Sequence, residues 1–228
     1  MGEQILRVKF KPGTSMSERF DVTVGYLQQL IEDGIRDQYV RQKAVEIVNR
    51  AGVNQHDELG EIRAIVKWVQ NNVTYRKDPF MVEYFMTARR ILKDVEKGAS
   101  AADCDDFVIV AASLLGSIGY PAGAIIVDSN ADGVFNHVML CTRTMAPTKQ
   151  YGSKWIVAEL IFPNFKLNQS VKVSKVYPLI ADPNTTRLPI HRQQIAGGMN
   201  SLGSVPSAKS GTGYEHPYSR MLNGLRRR

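Results

Sequence analysis

The stretch GASAADCDDFVIVAASLLGSIGY, residues 98–120, restricts the fold more than any other part of the chain. Its centre, FVIVAASLL, is apolar nearly all round. A helix built from it has no face to give to water and must be enclosed by other elements. Asp103 stands where an N-cap is expected, Asp106 three residues on gives the spacing of a capping box, and Gly119 supplies the stop. Cys104 then falls at the first helical position. Unpaired backbone N–H groups and the positive end of the helix dipole favour a thiolate there. Two readings of Cys104 follow, an activated nucleophile or a small residue packed at a helix end.

A chain of 228 residues can bury one good core and carry an appendage. No apolar run approaches the roughly 20 residues of a membrane helix. The opening MGEQILRVKF lacks the apolar core of a secretory signal, so secretion by that route is not expected. Two cysteines, Cys104 and Cys141, are best read as reduced. The net charge of +7 is unevenly placed: residues 191–228 hold six Lys/Arg and one Glu, which leaves +2 for the other 190 residues. The body is therefore not built to bind a polyanion, and nucleic acid ranks last among partners.

Residues 4–10 alternate as a strand and end at Pro12-Gly13. Thr23 is placed to cap a helix closed by Gly34; a second helix starts near Gln38, and Asp57 opens a third. Residues 80–86 read as aromatic and irregular, and Thr87 caps a short helix that ends at Gly98. After the apolar helix the period changes from 3.6 to 2, which predicts strands over residues 124–127, 134–142, 154–161 and 171–177. Helices followed by an antiparallel sheet make an α+β domain. The organisation expected is an N-terminal strand and helices over 1–56, a main domain over 57–192 and a basic, Gly/Ser-rich arm over 193–228. The arm's composition cannot bury enough apolar surface to fold alone.

Cys104, His137 and Glu159 occur in that order, on a helix start and two neighbouring strands. A thiol needs an imidazole to take its proton, and the imidazole needs an acid or amide on its far nitrogen. Neighbouring strands lie about 4.8 Å apart, so His137 and Glu159 can touch if the register allows. Four segments in order, VKWVQNNVTYRKDP (66–79), DCDDFVIVAASLLGSIGYPA (103–122), HVML (137–140) and WIVAE (155–159), resemble the transglutaminase-like superfamily of papain-like cysteine enzymes. The upstream TVGYLQQLIEDG and YVRQKAVEIV are similar to the small versions carried by tailed bacteriophages.

The resemblance implies a papain/transglutaminase-like α+β fold, with a buried nucleophile helix packed on an antiparallel sheet. It implies Cys104 as nucleophile, His137 as base and Glu159 as third member, acting on peptide or glutamine amides through a thioester. Two positions depart from the family: the acid is usually Asp, and Ala102 stands where Gly is usual before Asp103-Cys104. The oxyanion hole is expected to use the Cys104 N–H, with Asp103, Tyr75, Tyr84 and Gln70 as supporting candidates. The aspartates beside the thiol are expected to cap or turn outward, which leaves a thiolate–imidazolium pair. No cofactor or metal is expected, because Asp103, Asp105 and Asp106 at one helix start do not converge on an ion. The expected partner is a peptide or protein substrate, in a bacterial or infected-cell cytoplasm or in a virion. The competing reading is a virion or assembly protein that keeps the fold without catalysis and threads its arm into neighbours.

Overall fold

The computed structural model of the protein describes residues 2–79 and 82–181; the arm over 193–228 lies outside them. The elements run β1 (Ile5–Lys9), α1 (Met16–Ile35), α2 (Gln38–Arg50), α3 (Glu58–Asn72), β2 (Val82–Met86), α4 (Ala88–Glu96), α5 (Cys104–Ser117), β3 (Ala122–Asp128), β4 (His137–Thr142), β5 (Ile156–Ala158) and β6 (Lys175–Ala181). The class is α+β with antiparallel pairing: a four-stranded sheet in the order β5-β4-β3-β6, and a separate β1–β2 pair.

Helix α5 is the centre. Every residue from Asp105 to Ser117 is buried. Its enclosure comes from α1, α2, α3 and α4 on one side and from the inner face of β3 and β4 on the other. Leu27, Leu30 and Ile31 of α1, Val40 and Ala44 of α2 and Ile65 and Val69 of α3 join Phe107–Leu115 in one apolar cluster. The strands contribute alternate residues to it, Ala122, Ala124 and Ile126 from β3 and Val138 and Leu140 from β4. The intervening Ile125, Val127, Met139 and Cys141 face a second, smaller cluster closed by Trp155, Val171 and Val173. Cys141 is therefore a buried filler whose thiol is pushed upward by burial.

Local signals explain most boundaries. Asp57 caps α3 through the Gly60 N–H, and Thr87 caps α4 through the Arg90 N–H. Four expectations need correction. Helix α1 starts at Met16, not after Thr23: Ser15 and Glu18 form a reciprocal capping box, and Thr23 lies inside the helix. Part of the stretch read as irregular, residues 82–86, is strand β2, fully paired with β1. The strand expected over 154–161 is only three residues long, so Glu159 sits just past the end of β5 rather than on it. The last strand begins at Lys175, four residues later than expected.

Close approach of α1 to α5 depends on Gly34. A Cβ there would lie 2.1 Å from Ser113 Oγ and 3.2 Å from the Ala88 Cβ. Crowding of this kind costs about 1–3 kcal/mol, more than the roughly 0.5–1 kcal/mol that Ala gains over Gly inside a helix. Gly34→Ala is expected to lower the urea midpoint with an unchanged m-value; an equal or higher midpoint would show that the helices separate at no cost.

Candidate active site

The first residue of α5, Cys104, opens into a cavity of about 750 Å³ that is also lined by His137, Tyr75, Asp103 and Asp105. Asp103 is the N-cap residue with extended backbone, yet its side chain makes no capping bond. Its carboxyl is turned toward Asp78 and Glu83 instead, with one oxygen from each of the three acids within 4.8 Å of the others. Asp106 accepts the Met86 N–H at 2.8 Å and is reached by the backbone N–H of Asp103, so half of the expected capping box forms. The Asp106 carboxylate thus ties α5 to the end of β2.

None of the three aspartates turns outward; Asp103, Asp105 and Asp106 are 8%, 4% and 2% exposed. That overturns the expected thiolate. Burial pushes the Cys104 thiol well above its usual range, and the charges of Asp103 and Asp105 push the same way. The N–H of Val138 reaches the sulfur and opposes them, but desolvation is the larger effect. Cys104 therefore rests as a neutral thiol. Asp103 and Asp106 are themselves held well above the usual carboxylate range, chiefly by burial and then by the charge of Asp105.

His137 is the first residue of β4 and is buried, with Nε2 2.7 Å from Glu159 Oε2. The paired register sets Leu140 opposite Ala158. Continued by one residue, it puts Glu159 opposite Met139, so Glu159 and His137 form a diagonal pair. Diagonal neighbours on antiparallel strands lie about 7–8 Å apart, and the extra methylene of Glu over Asp suits that span. Glu159 is held on every side: Oε1 accepts the Ile161 N–H at 3.0 Å, and its carbonyl accepts Gln70 Nε2 at 2.7 Å. The Val138 N–H at the sulfur places Cys104 against the peptide that follows His137.

The three supporting candidates other than Asp103 separate. Tyr75 lines the cavity beside Cys104, and its segment is bridged to Ala102, with the Ala102 N–H donating to the Thr74 carbonyl at 3.0 Å and the Arg76 N–H to the Ala102 carbonyl at 2.7 Å. Burial keeps its hydroxyl protonated, and negative charge at the neighbouring acids acts the same way. Gln70 is not free to serve an oxyanion, since its amide is spent on the Glu159 and Phe165 carbonyls; it is a positioning residue for Glu159. Tyr84 lies outside the cavity lining, under the Arg7 guanidinium at 5.7 Å. Its backbone N–H donates to Asp78.

Sequence reasoning missed Asp78, Glu83 and Arg19, which also line the cavity. Burial and the charges of Asp105 and Asp78 push Glu83 up to about 7. The missed signal was the alternation of residues 82–86, which aims Glu83 and Tyr84 to opposite faces. An apolar wall completes the cavity: Phe20 stacks on Phe135 at 4.7 Å, and Tyr177 meets Phe20 edge-on at 5.2 Å.

No protein-family profile matches the chain, and no curated protein does. Three solved structures are similar in part. A "putative protease" from Parabacteroides distasonis matches with 14% identity and a TM-score of 0.37 over 61% of this chain and 30% of that one. A "putative cysteine protease" from Cytophaga hutchinsonii matches with 14% identity and a TM-score of 0.34 over 71% of this chain and 58% of that one. A structure named as a TGase matches with 20% identity and a TM-score of 0.30 over 64% of this chain and 33% of that one. The chain thus spans between about a third and three fifths of the length of these solved chains.

Proposed function

We propose that the protein is a thiol-dependent acyl-transfer enzyme acting on an amide of a peptide or a glutamine side chain, with Cys104, His137 and Glu159 as its catalytic residues. The observation that carries this reading is the buried His137–Glu159 contact at 2.7 Å beside a helix-end cysteine that opens into the same cavity. An ionised Glu159 takes the Nε2–H of the imidazole and fixes its tautomer. That directs Nδ1 to the thiol proton.

The chemistry runs as follows. As the sulfur attacks the amide carbon, its proton passes to His137, and the carbonyl oxygen gains the negative charge. The N–H of Cys104, at the positive end of α5, faces that charge. Collapse of the tetrahedral adduct breaks the C–N bond, and the imidazolium returns its proton to the leaving amine. A thioester on Cys104 remains; water or a second amine, deprotonated by His137, resolves it and restores the thiol. A neutral resting thiol makes His137 obligatory for the first step. The aromatic wall of Phe20 and Phe135 offers the substrate an apolar surface next to the acids.

The assembly reading rests on the arm over 193–228, outside the described residues, and no observation favours it.

An acyl probe carrying a thiol-reactive electrophile is expected to label Cys104 and not Cys141. Labelling should vanish in Cys104→Ala and fall by about 10²–10⁴-fold in His137→Ala, with a smaller loss in Glu159→Gln. Labelling that survives His137→Ala at the wild-type rate would remove the imidazole from the mechanism. The raised thiol makes a second expectation. A small neutral alkylating agent with no need of a base should modify Cys104 more slowly than a free thiol at pH 7, with the rate still climbing above pH 9. A plateau reached below pH 8 would mean a thiolate at rest.

A further inference from the structure

The acids above the thiol need an explanation that the acyl-transfer reading does not give. Asp78 precedes β2, Glu83 lies on it and Asp103 immediately precedes α5, so three separate positions send carboxylates to one point. Asp105 lines the same cavity, and its charge acts on all three. Four carboxyls thus face two basic side chains, Arg19 and Lys77, among the residues that line the cavity. Two of the acid oxygens, Asp103 Oδ1 and Asp105 Oδ2, are buried with no hydrogen-bond partner among the described residues. Both residues are more than nine-tenths buried. A buried carboxylate oxygen left without a partner is costly, so oxygens left open in this way call for a proton or a cation.

We propose that Asp78, Glu83 and Asp103 bind a hard divalent cation of the Ca²⁺ type at the mouth of the Cys104 cavity, with Asp105 as the charge behind them. An all-oxygen carboxylate set suits a hard cation rather than a soft one. The three ligand oxygens lie within 4.8 Å of one another, close enough to meet on one ion. The number of carboxylates favours Ca²⁺, because Mg²⁺ is usually bound through only one or two carboxylates and keeps most of its waters. The wide cavity leaves room for the waters that complete six to eight ligands. One divalent ion also offsets the excess of two acids over two bases in the lining. The rival is a proton shared between the abutting Asp103 and Asp105 carboxyls. A second acid-bearing turn, the loop with the exposed Asp132, borders the same cavity through Ser129, Asn130, Gly133 and Val134. There the Asp128 oxygens accept the Asn130 and Gly133 N–H groups, and Asp132 Oδ1 accepts the Val134 N–H.

Terbium bound at the trio would sit close to Tyr75, which lines the same cavity and whose ring sensitises its emission. The full-length protein, in chelator-treated buffer at pH 7, is titrated with Tb³⁺ and then with competing Ca²⁺ or Mg²⁺. One saturable site is expected, displaced by Ca²⁺ at concentrations at least tenfold below those of Mg²⁺. Asp78→Asn and Glu83→Gln should each weaken binding at least tenfold, and Asp132→Asn should leave it unchanged. Circular dichroism on each variant separates loss of the site from loss of the fold. Calorimetry with Ca²⁺ alone checks the stoichiometry without terbium. No saturable binding of either ion at millimolar concentration would overturn the site in favour of the shared proton. Binding abolished by Asp132→Asn, or untouched by both Asp78→Asn and Glu83→Gln, would overturn it in favour of another location. None of these readouts depends on catalysis, so the cation site stands or falls apart from the acyl-transfer reading.

Discussion

Helix α5 can exist only as an enclosed element, because from Phe107 to Leu115 it offers water almost nothing it can solvate. Each apolar side chain buried around it contributes on the order of 1.5–3 kcal/mol. Four helices and two strands supply the enclosure, and two contacts need Gly at the crossing: Gly34 against Ser113 and Gly116 against Ile35. A helix surrounded along its length can meet solvent only at an end. Its C-terminus closes into the turn at Gly119 with a positive φ. Its N-terminus is the end that reaches the cavity, so whatever stands at position 104 inherits both the open space and the helix dipole. The place of the site follows from the burial of the helix.

The same enclosure sets the electrostatics. A buried imidazole–carboxylate contact is weak evidence for stability, because the desolvation of its partners offsets much of their attraction. Glu159 is nonetheless fully satisfied, with the imidazole on one oxygen, the Ile161 N–H on the other and Gln70 on its carbonyl. Gln70 comes from α3 and belongs to none of the strands, so it couples the outer helices to the orientation of the ring. A network whose members are all bonded fixes one geometry, and here the geometry it fixes is that of His137.

Much of this was written in local signals. The caps Asp57 and Thr87, the period of α2 and α3 and the apolar run of α5 are each contained in a few consecutive residues, and each element lies where those residues put it. The start of α1 was also local, in Ser15 and Glu18, but a weaker candidate cap at Thr23 obscured it. Strand β2 was not local. Its aromatic residues gain their regular conformation only from pairing with β1, more than seventy residues away. The order of Cys104, His137 and Glu159 was legible because Cys and His are scarce in this chain and their pairing with an acid is chemically demanding. The contact of Asp78 and Glu83 with Asp103 was not, since it exists only once β2 has paired and Asp106 has bound the Met86 N–H. The roles of Gln70 and Tyr84 were illegible for a related reason. Sequence placed both near the site, and only tertiary packing shows that one amide is consumed by backbone carbonyls and one ring faces Arg7.

The misjudged charge state of the thiol carries the more general lesson. A cysteine at a helix N-terminus is normally read as activated, since the dipole contributes about 0.3–1 kcal/mol toward the anion, rising to ~2 kcal/mol when partly buried. Each pKa unit is worth 1.36 kcal/mol, so that contribution moves a thiol by little more than one unit. Removal of a thiolate from water, next to carboxyls buried with it, can move it by several units in the other direction. The sequence displayed both influences, Cys104 at the helix start and Asp103, Asp105 and Asp106 around it, but their signs of exposure decide the balance. Desolvation of the sulfur is the larger effect, and the inward-facing acids add to it. They face inward because Asp106 anchors β2 while Asp103 meets the acids that β1–β2 pairing brings to it. The β1–β2 pair, whose second strand sequence reasoning passed over, therefore adds to what keeps the thiol of Cys104 protonated.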